Sequence, residues 1–330
     1  MSYIEDAYKT LGTRGDSKGN YFNEGEIEKT GSPKYRKKDS VFKVPLPKTA
    51  RELGAIRREE RLLEETAPST GFEELDRLVS GFVPKHLITL TGQTNSGKTT
   101  LAINFAYSVV RQPGCKVLYL ALEPDTAIIE LLTALRTQKK IYRPKAGKDY
   151  NQEMTTEKDL VADIPNLDFY TDEIMTIEEL VKITEERLKD KKYDLIIVDH
   201  IGYFVQGSKE SYLQAQADLL KKLARFTKDH STCVMAIAHL NKQAKTQKIT
   251  MDNISGSAAF KQDSTDVYII TKDEPVRNKQ GRLMQSNTGK FYVAKSKTAG
   301  GWGDFNINFL NNGLILDDYG LAKYSREGVN

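Results

Sequence analysis

The sequence predicts an α/β domain with a mainly parallel central sheet and an antiparallel extension at its C-terminal end. Continuous apolar runs such as KVLYLALE and DLIIVDH are typical of strands buried on both faces. They alternate with stretches such as TIEELVKITEERLKD, whose apolar residues recur at helical spacing. After the run CVMAIAHL, strands joined by short turns follow, and these predict the antiparallel extension: DVYIITKD, GKFYVAKSK and DFNINFLNNGLIL.

The N-terminal part of the chain differs in composition from the rest. Residues 1–47 are rich in Gly, Asn, Ser, Lys and Glu and poor in apolar side chains, which predicts a flexible arm. Residues 48–66 are free of proline and rich in helix formers, so we expect an amphipathic helix there. Its narrow apolar side consists of Leu53, Ile56, Leu62 and Leu63. Residues 67–330 carry the strand and helix alternation and are predicted to form the main domain.

Composition excludes several classes of protein. Hydrophobic residues make up 39% and charged residues 28% of the 330, as in a globular protein in solution. No apolar run approaches the roughly 18 residues of a membrane span, and nothing resembles a signal peptide. The two cysteines, Cys115 and Cys233, are far apart and provide neither a disulfide framework nor a zinc site. The net charge of +4 is too small to indicate a nucleic-acid partner by itself.

A glycine-rich stretch, GQTNSGKT, fits the phosphate-binding loop pattern G-x-x-x-x-G-K-[ST]. It stands between a predicted strand, LITLTG, and a predicted helix, KTTLAINFAYSVV, which is the context that this pattern requires. Backbone N–H groups at a helix N-terminus can wrap phosphates, while Lys98 would contact the β- and γ-phosphates and Thr99 would bind Mg²⁺. The predicted site for ATP or another nucleoside triphosphate comprises Gly92, Gln93, Thr94, Asn95, Ser96, Gly97, Lys98, Thr99 and Thr100.

Three predicted strands end in a polar residue. Asp199 ends DLIIVD, where a carboxylate can hold Mg²⁺ through water. Glu123 ends VLYLALE, on the strand expected beside the P-loop strand, and can orient or deprotonate an attacking water; an acid preceding the next helix is the alternative. His239 ends CVMAIAH, where it can hydrogen-bond the γ-phosphate, although a lone histidine is often structural.

Together these motifs resemble the RecA-type ATPase core, a P-loop NTPase fold, in the order that this fold requires. More narrowly, they resemble the ring-shaped replicative helicases of the DnaB family and the helicase half of the T7 phage primase-helicase. The segments that carry the resemblance span roughly residues 69–317: TGFEELDRLVSGFVPKHLITLTG, YDLIIVDHIGYFV, VMAIAHLNK and NISGSAAFKQDSTDVYII. In the last of them, Gln262 matches a family position near the γ-phosphate and the subunit boundary.

The resemblance implies a DNA helicase of replicative type that is driven by NTP hydrolysis. It implies a homo-oligomer, expected to be a hexamer, with nucleotide at the subunit interfaces and the single strand of a DNA fork in the central channel. A separate primase or polymerase is an expected partner, and no membrane is involved. The expected location is the cytoplasm, which is the host cytoplasm if a phage encodes the chain.

A pair of lysines departs from the family pattern. In the ring helicases a basic residue of the neighbouring subunit reaches the γ-phosphate, usually the arginine of a Lys-x-Arg pair after a strand. The matching stretch YVAKSKTAGG has Lys295 and Lys297 instead, and lysine lacks the planar fork of arginine. A Lys-x-Lys pair is also similar to RecA recombinase, so a filament-forming recombination ATPase stays an alternative. A regulatory P-loop ATPase that switches a partner is a second alternative.

Two loops are candidates for contact with DNA. The stretch KQAKTQKITMD, after the strand that ends at His239, matches a lysine-bearing channel loop of the ring helicases and contains Lys242, Lys245 and Lys248. The stretch QGSKESY matches the other channel loop more weakly and offers Lys209. A solvated surface loop is the alternative for both. The helix predicted within residues 48–66 fits a linker that docks on the neighbouring subunit, and packing on its own domain is the alternative.

Overall fold

The structure is a computed structural model that describes residues 13–15, 21–23, 47–122, 127–137, 164–171, 176–202, 212–239, 257–277, 280–284, 286–297, 301–310 and 313–317. The chain divides into two compact units, residues 1–57 and 58–330. The first unit contains an antiparallel pair of short strands, β1 (Thr13–Gly15) and β2 (Tyr21–Asn23), within the predicted arm.

Helix α1 (Ala50–Glu65) covers the stretch for which an amphipathic helix is predicted. Its N-terminus is closed by Thr49 and Glu52. The Glu52 carboxylate accepts from the Thr49 backbone N–H at 2.7 Å, and the Thr49 hydroxyl accepts from the Glu52 backbone N–H at 3.3 Å. This reciprocal cap satisfies two N–H groups that the first turn leaves unpaired. None of the residues of α1 is buried.

Eleven further strands are described in the second unit. Six of them run parallel: β3 (Leu87–Gly92), β4 (Val117–Ala121), β5 (Leu167–Tyr170), β6 (Leu195–Asp199), β7 (Cys233–His239) and β8 (Asp266–Lys272). The C-terminal strands run antiparallel: β11 (Thr288–Ser296), β12 (Gly303–Phe309) and β13 (Ile315–Asp317). A small separate hairpin precedes them: β9 (Val276–Arg277) and β10 (Leu283–Met284).

Helices cover both faces of the nine-stranded sheet, whose order is β13-β12-β11-β8-β3-β7-β6-β4-β5. One core packs beneath α2 (Glu73–Leu78), α3 (Lys98–Val110) and α4 (Ala127–Thr137). The other packs beneath α5 (Ile177–Asp190), α6 (Tyr212–His230) and α7 (Ser257–Asp263). All six residues of β3 are buried, which explains why the central strands have continuous apolar runs. None of the helices in the described ranges has the length and hydropathy needed to cross a membrane.

The parallel strands bring their carboxyl ends to one edge of the sheet. Gly92 of β3 is level with His239 of β7, and Ala121 of β4 is level with Asp199 of β6. In open α/β sheets this edge is where ligands bind. One expectation was wrong: β4 does not lie beside β3, because β7 and β6 are inserted between them. In a doubly wound sheet, crossover helices allow later strands to fill the positions between earlier ones.

Candidate functional site

The loop between β3 and α3 has a backbone that requires its glycines. Gly97 has a φ of 92°, in the left-handed region, and a Cβ atom there would lie 2.6 Å from the Phe309 ring. A Cβ atom on Gly92 would lie 2.4 Å from the Ile270 carbonyl oxygen. The loop leads directly into the N-terminus of α3, whose first N–H groups face it. Such a terminus is a binding site for phosphate.

Lys98 is held inside this loop by its own backbone. Its Nζ donates to the carbonyl oxygens of Gly92 at 3.1 Å and of Gln93 at 2.8 Å, and the residue is only 6% exposed. Burial lowers the pKa of Lys98 to about 8, while the nearby charge of Asp199 acts in the opposite direction. Because this cation is poorly solvated, an anion that enters the loop gains more from it than from a surface lysine.

Asp199 lies beside Lys98 at the end of β6 and is 9% exposed. Its Oδ2 accepts a hydrogen bond of 2.7 Å from the buried hydroxyl of Tyr119, a residue of β4. Burial raises the pKa of Asp199, and hydrogen bonds from Tyr119 and Thr99 act in the opposite direction. The Tyr119 bond fixes the orientation of the carboxylate.

The residues present fit a phosphate group and a hard cation. Thr99 and Asp199 bring a hydroxyl and a carboxylate oxygen together, and Mg²⁺ prefers oxygen ligands. Among the described residues, the buried Ser96 hydroxyl has no hydrogen-bond partner within reach. A buried polar atom without a partner is unfavourable, so this hydroxyl is available to a phosphate oxygen.

His239 and His200 connect the loop edge to the end of β6. Their rings meet edge to face, with centroids 4.4 Å apart and an interplanar angle of 82°. His200 follows Asp199 directly and is 8% exposed. A Cβ atom on Gly202 would come within 2.9 Å of His200 Nδ1, so a side chain at this position would require the ring to shift. A change at His239 therefore reaches the residue next to Asp199 through direct ring contact.

Two residues beside the loop, Lys272 and Phe309, were not predicted from the sequence. The Phe309 ring packs against Gly97, and Lys272 Nζ lies 4.9 Å from the centroid of that ring. A cation over an aromatic face is a favourable arrangement, and the Phe309 ring can also stack on a nucleotide base. They are 37 positions apart, and each occupies an ordinary place in a strand. Only the antiparallel extension brings them together.

Comparison with known proteins adds the family. The sequence profile of the DnaB-like helicase C terminal domain matches residues 68–315. The chain belongs to this family.

Curated DnaB-like relatives support the same assignment. The replicative DNA helicase DnaB of Mycoplasma genitalium is 25% identical over 238 residues, which are 68% of this chain and 50% of that protein. The DnaB of Geobacillus stearothermophilus is 24% identical over 220 residues, 64% of this chain and 48% of that protein. The chain therefore spans about half the length of the curated relatives that it matches.

Solved structures confirm the RecA-like ATPase fold. A DnaB-like replicative helicase, described with its interactions with primase, superimposes with a TM-score of 0.65 at 15% identity, over 82% of this chain and 67% of that chain. A solved ATPase domain superimposes with a TM-score of 0.64 at 16% identity, over 81% of this chain and 97% of that domain. The predicted α/β class and its antiparallel C-terminal extension are thus both confirmed.

Three predicted site residues of the DnaB-like chain lie away from its own loop. Lys295 is level with Val267 of β8, which is level with Thr89 of β3, three residues before the loop begins. Lys297 is exposed two residues further on, so its Cα lies on the order of 15–20 Å from Gly92 by strand spacings. The structure does not bring these lysines to the phosphate loop of the same chain.

Lys295 instead holds α7 in place. Its Nζ donates to the carbonyl oxygens of Lys261 and of Ser264, the latter at 2.5 Å. Burial, followed by the charge of Lys297, lowers the pKa of Lys295 to about 8. Gln262 is exposed in the same last turn of α7. The three residues that the resemblance places at a subunit boundary therefore form one group at the edge of the sheet opposite the loop.

The remaining predicted site residues are Glu123, Lys209, Lys242, Lys245 and Lys248. All five lie outside the described residues.

Proposed function

We propose that this DnaB-like chain is an NTP-driven DNA helicase of replicative type, which translocates on single-stranded DNA as a ring. The observation that carries the proposal is the edge that joins the phosphate loop, Asp199 and the His200–His239 pair in a chain of this family. The curated relatives bear the name replicative DNA helicase. The proposed activity takes place in the cytoplasm, or in the host cytoplasm if a phage encodes the chain.

In the proposed reaction, the loop N–H groups and Lys98 bind the phosphates of ATP or another NTP. Thr99 and Asp199 would hold Mg²⁺, which would neutralise charge on the phosphate oxygens. Tyr119 keeps the Asp199 carboxylate oriented through its 2.7 Å hydrogen bond. Glu123 activates the attacking water, and His239 responds to the presence of the γ-phosphate.

The proposed ring follows from the positions of Lys297 and Gln262. Because Lys297 lies at the edge of the sheet opposite its own phosphate loop, it can act on a triphosphate only in a second copy, and Gln262 lies near that edge, in the last turn of α7. The same contact repeated around an axis gives a closed ring, for which we propose a hexamer. Lysine in place of the usual arginine stabilises transition-state charge without a bidentate contact.

Helix α1 is proposed to dock on the neighbouring copy. Leu53 is 53% exposed and Leu62 is 59% exposed, which is unusual for a helix with an apolar side. Deleting residues 1–66 is expected to convert the oligomer to monomer in light-scattering measurements. An oligomer that survives the deletion with unchanged mass would remove α1 from the interface.

Contact with DNA is assigned to the two lysine-bearing loops. Lys242, Lys245 and Lys248 would follow the phosphate backbone of a single strand, with Lys209 as a further contact. Since one structural relative is described with its interactions with primase, a separate primase or polymerase is a proposed partner of this chain too.

The proposal is tested by NTP hydrolysis with and without single-stranded DNA. We expect DNA to stimulate hydrolysis by the wild type, and Asp199→Asn to abolish hydrolysis in both conditions. Hydrolysis that ignores DNA would favour the regulatory ATPase instead. Electron microscopy with DNA and a non-hydrolysable nucleotide is expected to show rings. Helical filaments would favour the recombination ATPase.

A further inference from the structure

Trp302 is the sole tryptophan of the chain, and it stands almost entirely in solvent. Its exposure of 83% is the largest among the exposed large apolar side chains of the described residues. Tryptophan is usually well buried, and where it is exposed on a folded surface it is enriched in contact sites. The indole lies just before β12, at the same edge of the sheet as Lys295.

The backbone on both sides of the indole is held against α2. A Cβ atom on Gly301 would lie 2.4 Å from the carbonyl oxygen of Leu78, the last residue of α2. A Cβ atom on Gly303 would lie 3.3 Å from the Leu78 side chain. The chain thus passes this helix at distances that only glycine permits on the Gly301 side. Trp302 projects from a fixed support, so little conformational entropy is lost when it makes a contact.

The β11 side of the same edge is fixed by Lys295. Its Nζ hydrogen bonds to the carbonyl oxygens of Lys261 and Ser264 join the end of β11 to the end of α7. Lys297 follows and is exposed. The result is a surface in which one cation and one indole stand on anchored backbone. We name Lys297 and Trp302 the Lys-Trp surface.

Charge complementarity identifies what covers the Lys-Trp surface. Lys297 is too far from the phosphate loop of its own chain to use it, whereas the loop of a second copy, loaded with a triphosphate, presents the opposite charge. A body that brings its triphosphate to Lys297 must also approach Trp302 at the same edge. The contact joins two different surfaces of the same chain and is therefore heterologous, as a ring requires.

We propose that Trp302 is a contact residue for the neighbouring copy of this chain, which it meets on the side that carries the phosphate loop. The inference rests on the proposed function, because it takes the neighbour to be a triphosphate-loaded copy. Lys295 is then a positioning residue, which holds the β11 end of the surface, while Lys297 makes the contact with phosphate.

Intrinsic tryptophan fluorescence of the full chain tests this contact directly, because Trp302 is the sole tryptophan and its emission depends on its exposure to water. Protein is titrated upward in concentration with Mg²⁺ and a non-hydrolysable ATP analogue, and emission and light scattering are recorded together. We expect emission to shift to shorter wavelength in step with assembly as the indole leaves water. Trp302→Ala is expected to raise the concentration for half-assembly by at least about tenfold.

Two control variants separate a contact from a general surface effect. Trp302→Phe keeps an aromatic ring and should retain most of the assembly. Arg225→Ala removes a side chain that is 85% exposed on α6, and it should assemble like the wild type. Because Trp302 is exposed, dilute Trp302→Ala without nucleotide should also keep the urea-unfolding midpoint of the equally dilute wild type.

Three results would overturn the proposal. Assembly with unchanged emission, together with an unchanged concentration for half-assembly in Trp302→Ala, would show that the neighbour does not reach the indole. Emission that changes with single-stranded DNA in dilute monomer would assign Trp302 to nucleic acid. A wild type that never assembles would also refute the contact. NTP hydrolysis, measured separately, then shows whether the proposed function fails with it.

Discussion

Replacing Lys98 by Met is expected to make the protein more resistant to unfolding while removing its ability to bind nucleotide. Lys98 is buried as a cation, with carbonyl oxygens as its hydrogen-bond partners. Methionine keeps a similar volume and unbranched shape without the charge. The substitution therefore isolates the energetic effect of holding a charge inside the loop before a phosphate arrives.

The size of this effect follows from the pKa of Lys98, which burial lowers from 10.5 to about 8. That difference corresponds to about 3 kcal/mol of lost stability at neutral pH, since each pKa unit is about 1.4 kcal/mol. The unfolded chain binds this proton more tightly than the folded one. The full stability penalty therefore applies below about pH 8, and it declines as pH rises toward 10.5. Between about pH 7 and about pH 9.5, roughly 2 kcal/mol of it disappears.

Urea unfolding of wild type and Lys98→Met at both pH values measures the difference. The advantage of the variant in free energy of unfolding should be about 2 kcal/mol larger at about pH 7 than at about pH 9.5. Comparing the two pH values cancels the hydrogen bonds that methionine cannot make. Lys221→Met, which removes an exposed lysine from α6, controls for loss of a lysine in general. A difference in free energy of unfolding that stays constant with pH would refute the inference that Lys98 is held as a buried, poorly solvated cation.

Other predictions concern the Asp199 carboxylate, the binding of the nucleotide base and the binding of DNA. Tyr119→Phe removes the hydrogen-bond donor to Asp199, so it should lower the free energy of unfolding by about 1–3 kcal/mol. The same change should raise the Mg²⁺ concentration for half-maximal hydrolysis, and an unchanged Mg²⁺ titration would contradict a role for Tyr119 at the metal site. Phe309→Ala should raise KM for NTP about tenfold or more while kcat changes little, and steady-state kinetics decide. Replacing Lys245 and Lys248 by Ala should weaken single-strand binding and flatten its salt dependence; unchanged binding at low and high salt would disprove their role.

Local signals in the sequence were sufficient to predict that the glycine-rich loop and the strand ends at Asp199 and His239 lie at one edge of the sheet. Gly92, Lys98 and Asp199 each stand at a strand or helix end, and a parallel sheet gathers such ends at one edge. In the structure, the register of β3 and β7 places His239 level with Gly92. The alternation of strands and helices also indicated the fold class, because its periodicity depends only on neighbouring residues.

Contacts between distant segments could not be predicted. Tyr119 looks like any core residue of an apolar run, and only the placement of β4 beside β6 brings its hydroxyl to Asp199. Phe309 and Lys272 meet because β11 and β12 fold back along β8. The prediction that β4 lies beside β3 was wrong for a similar reason, because strands from later in the chain occupy the positions between them. Such contacts depend on the topology of the whole sheet and leave no local pattern.

Displacement of a labelled strand from forked DNA tests the proposed motor most directly. The full chain is supplied with ATP and Mg²⁺ and compared with Lys98→Ala, which lacks the cation of the phosphate loop. We predict that the wild type releases the strand and that the variant does not. A wild type that hydrolyses ATP in response to DNA yet leaves the fork intact would contradict the proposed helicase activity.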